Sequence, residues 1–459
     1  MRNLFYIAGA IAFLGVSASA SAADITSTGF DPAGAGIKTE AYISEPLPPG
    51  FSVQATELEG PVFADEQGHT LYVWPFRQMR VSTTGDRDGT SACGDEVTTE
   101  TAGMMSPYPP GMKLPDLDKR KSCTAIWPPV LAKDDAKPVG NFSIITRPDG
   151  KKQWAHDHRA LYISVLDKQA GDTFGATTRR SAGDGPAERE AVGPATAVPP
   201  GFLVKTTSRG RILLNEKHYS IYVSDQDGAE KSNCTGSCTS MWQPAIASAL
   251  SQPQGEWTTF ERSPGVRQWA FRKRPVYTYA RDTHTWSQQG TDVSGWHNVF
   301  TQVTPPPPKG FGYMNNEVGE SVVTPQGMTI YLYTCGDDSK DQLACDHPGS
   351  PQAYRLAICG GGKADRCLQR WPYVQAAPGA TSTSRVWSVI TIDPMTGLYA
   401  ASGQPGAMNV WAYRGRPVYT YAGDKEPGDI NGNKTGEFNG KRNGFNAFIL
   451  RDDFFDADV

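Results

Sequence analysis

The chain has 459 residues, 38% of them hydrophobic and 20% charged, with a formal net charge of -4. That length suits about three domains at roughly 150 residues each. The charge is nearly balanced and there is no long Lys/Arg run, which argues against nucleic acid as a partner, because such binding needs a clustered basic face.

Residues 1–22 read as a secretory signal. Arg2 gives a basic start, Leu4 to Val16 form an apolar run, and small residues follow from Ala18 to Ala23. The run is too short to span a bilayer and ends on an Ala-x-Ala site, so cleavage near Ala22 is expected. No Cys follows it, so a lipid-modified mature N-terminus is not expected, and no second run of membrane length follows. The eight cysteines are Cys93, Cys123, Cys234, Cys238, Cys335, Cys345, Cys359 and Cys367. An even count on an exported chain favours disulfides, and the periplasm or the exterior is the expected location.

Residues 23–46 are small and polar and read as a flexible leader. A Pro-Gly start then occurs three times, at Pro48-Pro49-Gly50-Phe51, Pro199-Pro200-Gly201-Phe202 and Pro307-Pro308-Lys309-Gly310-Phe311. Each leads to a Tyr-centred strand around Tyr72, Tyr222 and Tyr331. A Cys four residues before a Trp follows, as Cys123/Trp127, Cys238/Trp242 and Cys367/Trp371. Three hits on one spacing signal a repeated architecture.

The second half of each repeat opens on an aromatic strand at Phe142, Trp257 or Trp387. A turn such as Pro148-Asp149-Gly150 follows, then a return strand carrying Trp154, Trp269 or Trp411. Last comes the most regular motif. Arg416-Pro417-Val418-Tyr419-Thr420-Tyr421-Ala422-Gly423-Asp424 nearly repeats Arg274 to Asp282, and Tyr162 with Asp167 forms a looser copy. In each the Asp stands five positions after the leading Tyr. Asp227 keeps that offset from Tyr222, while Arg77 and Gly336 replace the acid after Tyr72 and Tyr331.

Period-2 patterning dominates after the signal, so the fold should be all-β. The expected arrangement is three tandem β-repeat domains, 47–175, 199–303 and 310–459, each of two three-stranded meanders. Residues 176–198 read as a linker, and 304–309 as a stiff Pro-rich spacer. The alternative closes the six half-repeats into one propeller-like ring.

On Tyr277/Tyr279/Asp282, Tyr419/Tyr421/Asp424 and the weaker copies Tyr162/Asp167 and Tyr222/Asp227, the chain resembles a bacterial secreted-repeat family. That family is often lipoprotein and is named for a Tyr-x-aromatic-x-x-Asp motif. The resemblance runs over most of residues 48–450 and implies a β-repeat fold in the cell envelope, with function unknown. The chain departs from the family in lacking a lipobox Cys.

Reuse of the Tyr/Asp motif favours a structural role. The Asp would accept turn N–H groups, and the Tyr would pack and offer its hydroxyl to a partner. The simplest disulfides lie within repeats: Cys93–Cys123, Cys234–Cys238 and Cys359–Cys367, leaving Cys335–Cys345. There is no Cys-x-x-Cys for redox work and no haem attachment motif. His156/His158, and Asp429 with Asn431, are weak metal candidates, so no cofactor is expected. Most tryptophans fall in repeat columns; Trp74, Trp286 and Trp296 do not, and are the first candidates for an exposed, glycan-stacking surface. The expected function is therefore a non-catalytic exported module that binds or scaffolds an envelope protein or polysaccharide. A metal-dependent periplasmic enzyme or redox accessory protein, and a glycan-binding protein, are the rivals.

Overall fold

A computed structural model describes residues 25–27, 40–74, 89–96, 121–176, 190–335, 345–350, 352–437, 439–440 and 443–451. The protein is built mostly of strands in many small antiparallel sheets, with short helices making up 8%.

The second half of each repeat is a three-stranded meander. Its strands are Phe142–Thr146, Lys152–His156 and Arg159–Ala160 in repeat one. Repeat two uses Trp257–Ser263, Val266–Phe271 and Arg274–Pro275, and repeat three Trp387–Ile392, Met408–Tyr413 and Arg416–Pro417. The last turn of each meander has two residues with positive φ: Asp157-His158, Arg272-Lys273 and Arg414-Gly415. Two left-handed residues in succession match the twist of a tight hairpin.

The first half is not the three-stranded meander the pattern suggested. A two-stranded hairpin opens each repeat: Ser52–Ala55 with Pro61–Ala64, Phe202–Thr207 with Gly210–Asn215, and Gly312–Asn316 with Gly319–Val323. In repeats two and three its third strand comes from the far end of the same repeat. Phe300–Val303 closes the second hairpin and Ile449–Arg451 the third, while Phe63 N–H donates to Val192 O at 2.7 Å in the first. Strand patterning reports which face is buried but not which strand is the neighbour.

Two segments expected to lack structure are therefore partly ordered. Of the linker 176–198, Glu190–Ala191 pairs with Tyr72–Val73, and Thr196 bridges Tyr42. Ladder bonds are made by the backbone, so this strand needs no apolar period. Gly193 shows what it needs instead: a Cβ there would lie 2.0 Å from the Pro61 carbonyl oxygen. Of the leader 23–46, Ala41–Ile43 pairs with Ile25–Ser27, and Glu40 is 1% exposed.

The Tyr strand divides each repeat into two cores by simple alternation. Leu71 and Val73 pack with the meander's Phe142 and Trp154, while Tyr72 and Trp74 pack with Trp127 and the Cys93/Cys123 pair. Ile221 and Val223 oppose Tyr222 in the same way, and Ile330 and Leu332 oppose Tyr331 and Tyr333. Burying one large aromatic side chain contributes about 1.5–3 kcal/mol, so a few of them set the scale for a repeat this small. Repeat three adds two helices that the sequence reading did not expect, Ala353–Gly360 and Ala364–Arg370. Each is too short for its 3.6-residue period to stand out. A left-handed Gly361 ends the first helix and a disulfide staples the pair.

The repeats touch one another. Arg211 of repeat two grips buried Glu40 of the leader at 2.9 Å, and Arg451 of repeat three meets Asp292 of repeat two at 2.9 Å. Glu57 of repeat one accepts from Ser384 Oγ at 2.7 Å.

Candidate functional site

The tyrosine that meets each motif aspartate is not its own. Tyr72 Oη donates to Asp167 Oδ2 at 2.6 Å, Tyr222 to Asp282 Oδ2 at 2.7 Å, and Tyr331 to Asp424 Oδ2 at 2.7 Å. The donors sit on the first-half strand and the acceptors just past the last strand of the meander. Register explains the match, since Tyr72 bridges Tyr162, Tyr222 pairs with Tyr277, and Tyr331 bridges Tyr419. The clasp thus ties the two halves of a repeat together.

The second carboxylate oxygen holds the turn. Asp167 Oδ1 accepts Phe174 N–H at 2.9 Å, Asp424 Oδ1 accepts Asn431 N–H at 2.9 Å, and Asp282 Oδ1 accepts Ser287 Oγ–H at 3.0 Å. Burial pushes the Asp167 carboxyl up to about 7 and that of Asp282 up to about 6, against the lowering effect of the tyrosine hydroxyl. Asp424 is also raised, again chiefly by burial. The phenols of Tyr72, Tyr222 and Tyr331 go up as well, first from burial and then from the neighbouring carboxylate, so each stays a donor.

A glycine eight residues after each aspartate completes the unit and was missed in the sequence. It is Gly175, Gly290 or Gly432. Gly290 N–H reaches Tyr222 Oη at 3.3 Å, and Gly432 N–H reaches Tyr331 Oη at 3.2 Å. A Cβ at these glycines would lie 2.8, 2.9 and 2.7 Å from the edge of Trp127, Trp242 and Trp371. The Cys-x-x-x-Trp element therefore presses its indole against a bare backbone. Asp-x7-Gly, recurring three times, was the available signal.

The leading tyrosines of the motif serve a second network. Tyr162 Oη lies 2.9 Å from Ser91 Oγ, and Tyr277 donates to Asp227 Oδ2 at 2.7 Å, with Ser232 Oγ also at 2.7 Å. Arg147 donates to Ser91 Oγ, Gln153 Oε1 and Cys93 O, and Arg262 repeats this with Ser232, Gln268 and Cys234. Ser-x-Cys and an Arg six residues before Gln-Trp-Ala would have flagged it. Repeat three differs: Arg355, fully buried on the inserted helix, lies over the rings of Tyr373 and Tyr419 at 5.5 and 5.9 Å. Tyr279 and Tyr421 instead flank the indoles, at 4.3 Å from Trp242 and 4.5 Å from Trp371.

The metal candidates do not converge. His156 is buried against Phe63 and Phe142 with Nε2 3.3 Å from Glu45, while His158 is exposed in the hairpin turn. Asp429 Oδ2 accepts the N–H groups of Lys425 and Glu426 at 2.8 and 3.0 Å, and Asn431 is exposed. Asp172 Oδ2 holds Lys168 and Gln169 in the same way, so this loop is a repeated turn. Among the described residues no three His, Cys, Asp or Glu side chains gather as a metal set.

The expected Trp surface is overturned in part. Trp74 is fully buried, stacked 4.7 Å from Tyr162, because its place on the Tyr strand faces the disulfide core. Trp296 lies flat on Trp242 at 3.6 Å, as Phe445 does on Trp371 at 3.8 Å. Trp286 is half-buried, 5.6 Å from His218. Disulfides join Cys93–Cys123, Cys234–Cys238 and Cys359–Cys367. Cys345 is disulfide-bonded too, while the side chain of Cys335 lies outside the described residues.

No helix among the described residues is long and apolar enough to cross a membrane. No curated protein and no solved structure matches the chain. Residues 406–443, which hold Tyr419, Tyr421, Asp424 and Gly432, match a family described as a secreted repeat of unknown function.

Proposed function

We propose that this is an exported, non-catalytic β-repeat protein that serves the bacterial envelope as a binding or scaffolding module. One observation carries the reading: in all three repeats the motif's aspartate is turned inward onto a tyrosine hydroxyl from the other half of the repeat. A catalytic acid or base needs an open face toward a substrate, whereas a clasp repeated three times needs only its partner. The secreted-repeat match over 406–443 and the disulfides support export. We further read the three repeats as separate domains bounded near residues 198 and 304, since the second and third hairpins are each closed by a strand of their own repeat.

The test is fractionation of the producing cell with thiol labelling, followed by cross-linking in the envelope. The expected result is an oxidised protein outside the cytoplasm, cross-linked to an envelope protein or polysaccharide. Cytoplasmic recovery with reduced cysteines would overturn export. Stoichiometric metal that survives chelator dialysis, together with turnover, would overturn the non-catalytic reading in favour of an enzyme.

A further inference from the structure

The tips of the opening hairpins of repeats one and two lie at junctions with repeat three, and the two junctions differ. Both tips are built on a threonine turn, Thr56 Oγ1 to Gly60 O at 2.8 Å and Thr207 Oγ1 to Gly210 O at 2.9 Å. In repeat one the next residue, Glu57, fills its junction by accepting from Ser384 Oγ and from the N–H groups of Arg385 and Val386. The gap left there is about 10 Å³. In repeat two the next residues are Ser208 and Arg209, and they line a cleft against repeat three of about 220 Å³.

Those two residues leave polar atoms without partners. Ser208 is 6% exposed and its Oγ makes no hydrogen bond. Arg209 Nη1 also makes no hydrogen bond: its guanidinium lies over the Phe300 ring at 5.8 Å, and Glu320 is 4.0 Å away. That is beyond hydrogen-bonding reach. The other walls are aromatic: Phe300, Tyr313, Trp387 and Phe448, with the proline run 305–307 along one side.

We propose that this cleft binds a small molecule with a flat apolar ring and one anionic oxygen group, an aryl carboxylate. Aromatic walls favour a ring packed by face or edge, and the Arg209 side chain, 30% exposed, offers a guanidinium that pairs a carboxylate through charge-assisted bonds. Pockets for drug-sized ligands run to roughly 300–1,000 Å³, so this smaller cleft suits one ring or a fused pair. A sugar needs hydrogen-bond partners around its rim, whereas most of this lining is aromatic or proline. The assignment deepens the binding-module reading and rests on it, but its test uses purified protein and does not depend on export.

The test is calorimetric titration of the purified, oxidised chain with 1-naphthoate, with neutral 1-naphthalenemethanol and with cellotriose. The expected result is one saturable site for naphthoate, with the neutral alcohol about tenfold weaker. Arg209→Gln should weaken naphthoate by about tenfold. Val303 lines the cleft and is 46% exposed, so Val303→Trp should plug the site while keeping the thermal midpoint. Absence of saturable naphthoate binding, full affinity in Arg209→Gln or in Val303→Trp, or saturable binding of cellotriose instead would each overturn the proposal.

Discussion

The Tyr72 hydroxyl donates to Asp167 Oδ2 at 2.6 Å across 95 positions of chain. The equivalent bonds of Tyr222 to Asp282 and Tyr331 to Asp424 span 60 and 93. Each bond joins the two halves of a repeat inside the core that holds its Cys-x-x-x-Trp element. The clasp is thus a tertiary contact, although it is written as a local motif.

Removing one donor should expose this division of labour. Tyr222→Phe leaves the buried Asp282 carboxyl without its hydroxyl and should cost about 1–3 kcal/mol. Tyr279→Phe removes a hydroxyl for which no such bond stands, so it should stay within roughly 0.5 kcal/mol. Urea denaturation of both variants checks the contrast, and equal losses would contradict it.

Asp167 should make stability fall as the medium turns neutral. Its folded carboxyl titrates at about 7 against an ordinary 3.8, so between those values the native state holds a proton that the unfolded chain releases. Stability from this group is full below pH about 4 and is lost as pH rises toward 7. Each unit of such a shift is worth roughly 1.4 kcal/mol. Asp167→Asn cannot titrate there, so the stability of wild type relative to this variant should shrink from pH 4.5 to pH 7.5. A flat difference between the two melting series would remove the effect.

The glycines of the clasp should tolerate no side chain. A Cβ on Gly290 would lie 2.7 Å from the Tyr222 ring, and overpacking of this kind costs about 1–3 kcal/mol. Gly94→Ala is the control, since nothing lies within 4 Å of its Cβ position. Denaturation midpoints should drop for Gly290→Ala and hold for Gly94→Ala.

The disulfides should differ in worth. Cys93–Cys123 closes 30 positions and Cys234–Cys238 only 4. Chain entropy then assigns about 3.5 kcal/mol to the first and about 2 kcal/mol to the second. Paired Cys→Ala variants, unfolded in urea, give the comparison.

Glu57 should couple repeat one to repeat three. Glu57→Ala leaves the Arg385 N–H without its acceptor, while Val386 N–H keeps Ser384 Oγ, so the loss should be about 1–3 kcal/mol. Exposed Glu66→Ala should change little. Thermal midpoints that move equally would show that this junction carries no stability.

Much of the scaffold was legible because period-2 patterning and fixed spacings are local. Trp387 to Ile392, Met408 to Tyr413 and the turn at Arg414-Gly415 need only neighbours in sequence to be recognised. The helices at Ala353 and Ala364 were hidden, since two turns carry too little pattern. The closing strand near Val192 was hidden for another reason: its residues give backbone bonds, which leave no mark on side-chain type.

By itself the sequence determined the threefold repetition, the alternation that sends Tyr72 and Val73 to opposite cores, and the places where Cys, Trp and Asp recur. Only the tertiary structure decided that Asp282 answers Tyr222 rather than Tyr277, that Trp74 is core, and that Ser208 and Arg209 face an aromatic cleft. Alternation sets which way a side chain points from its own strand. Which strand lies opposite is set by the packing of segments far apart in the chain, and the partner of every buried polar group follows from that.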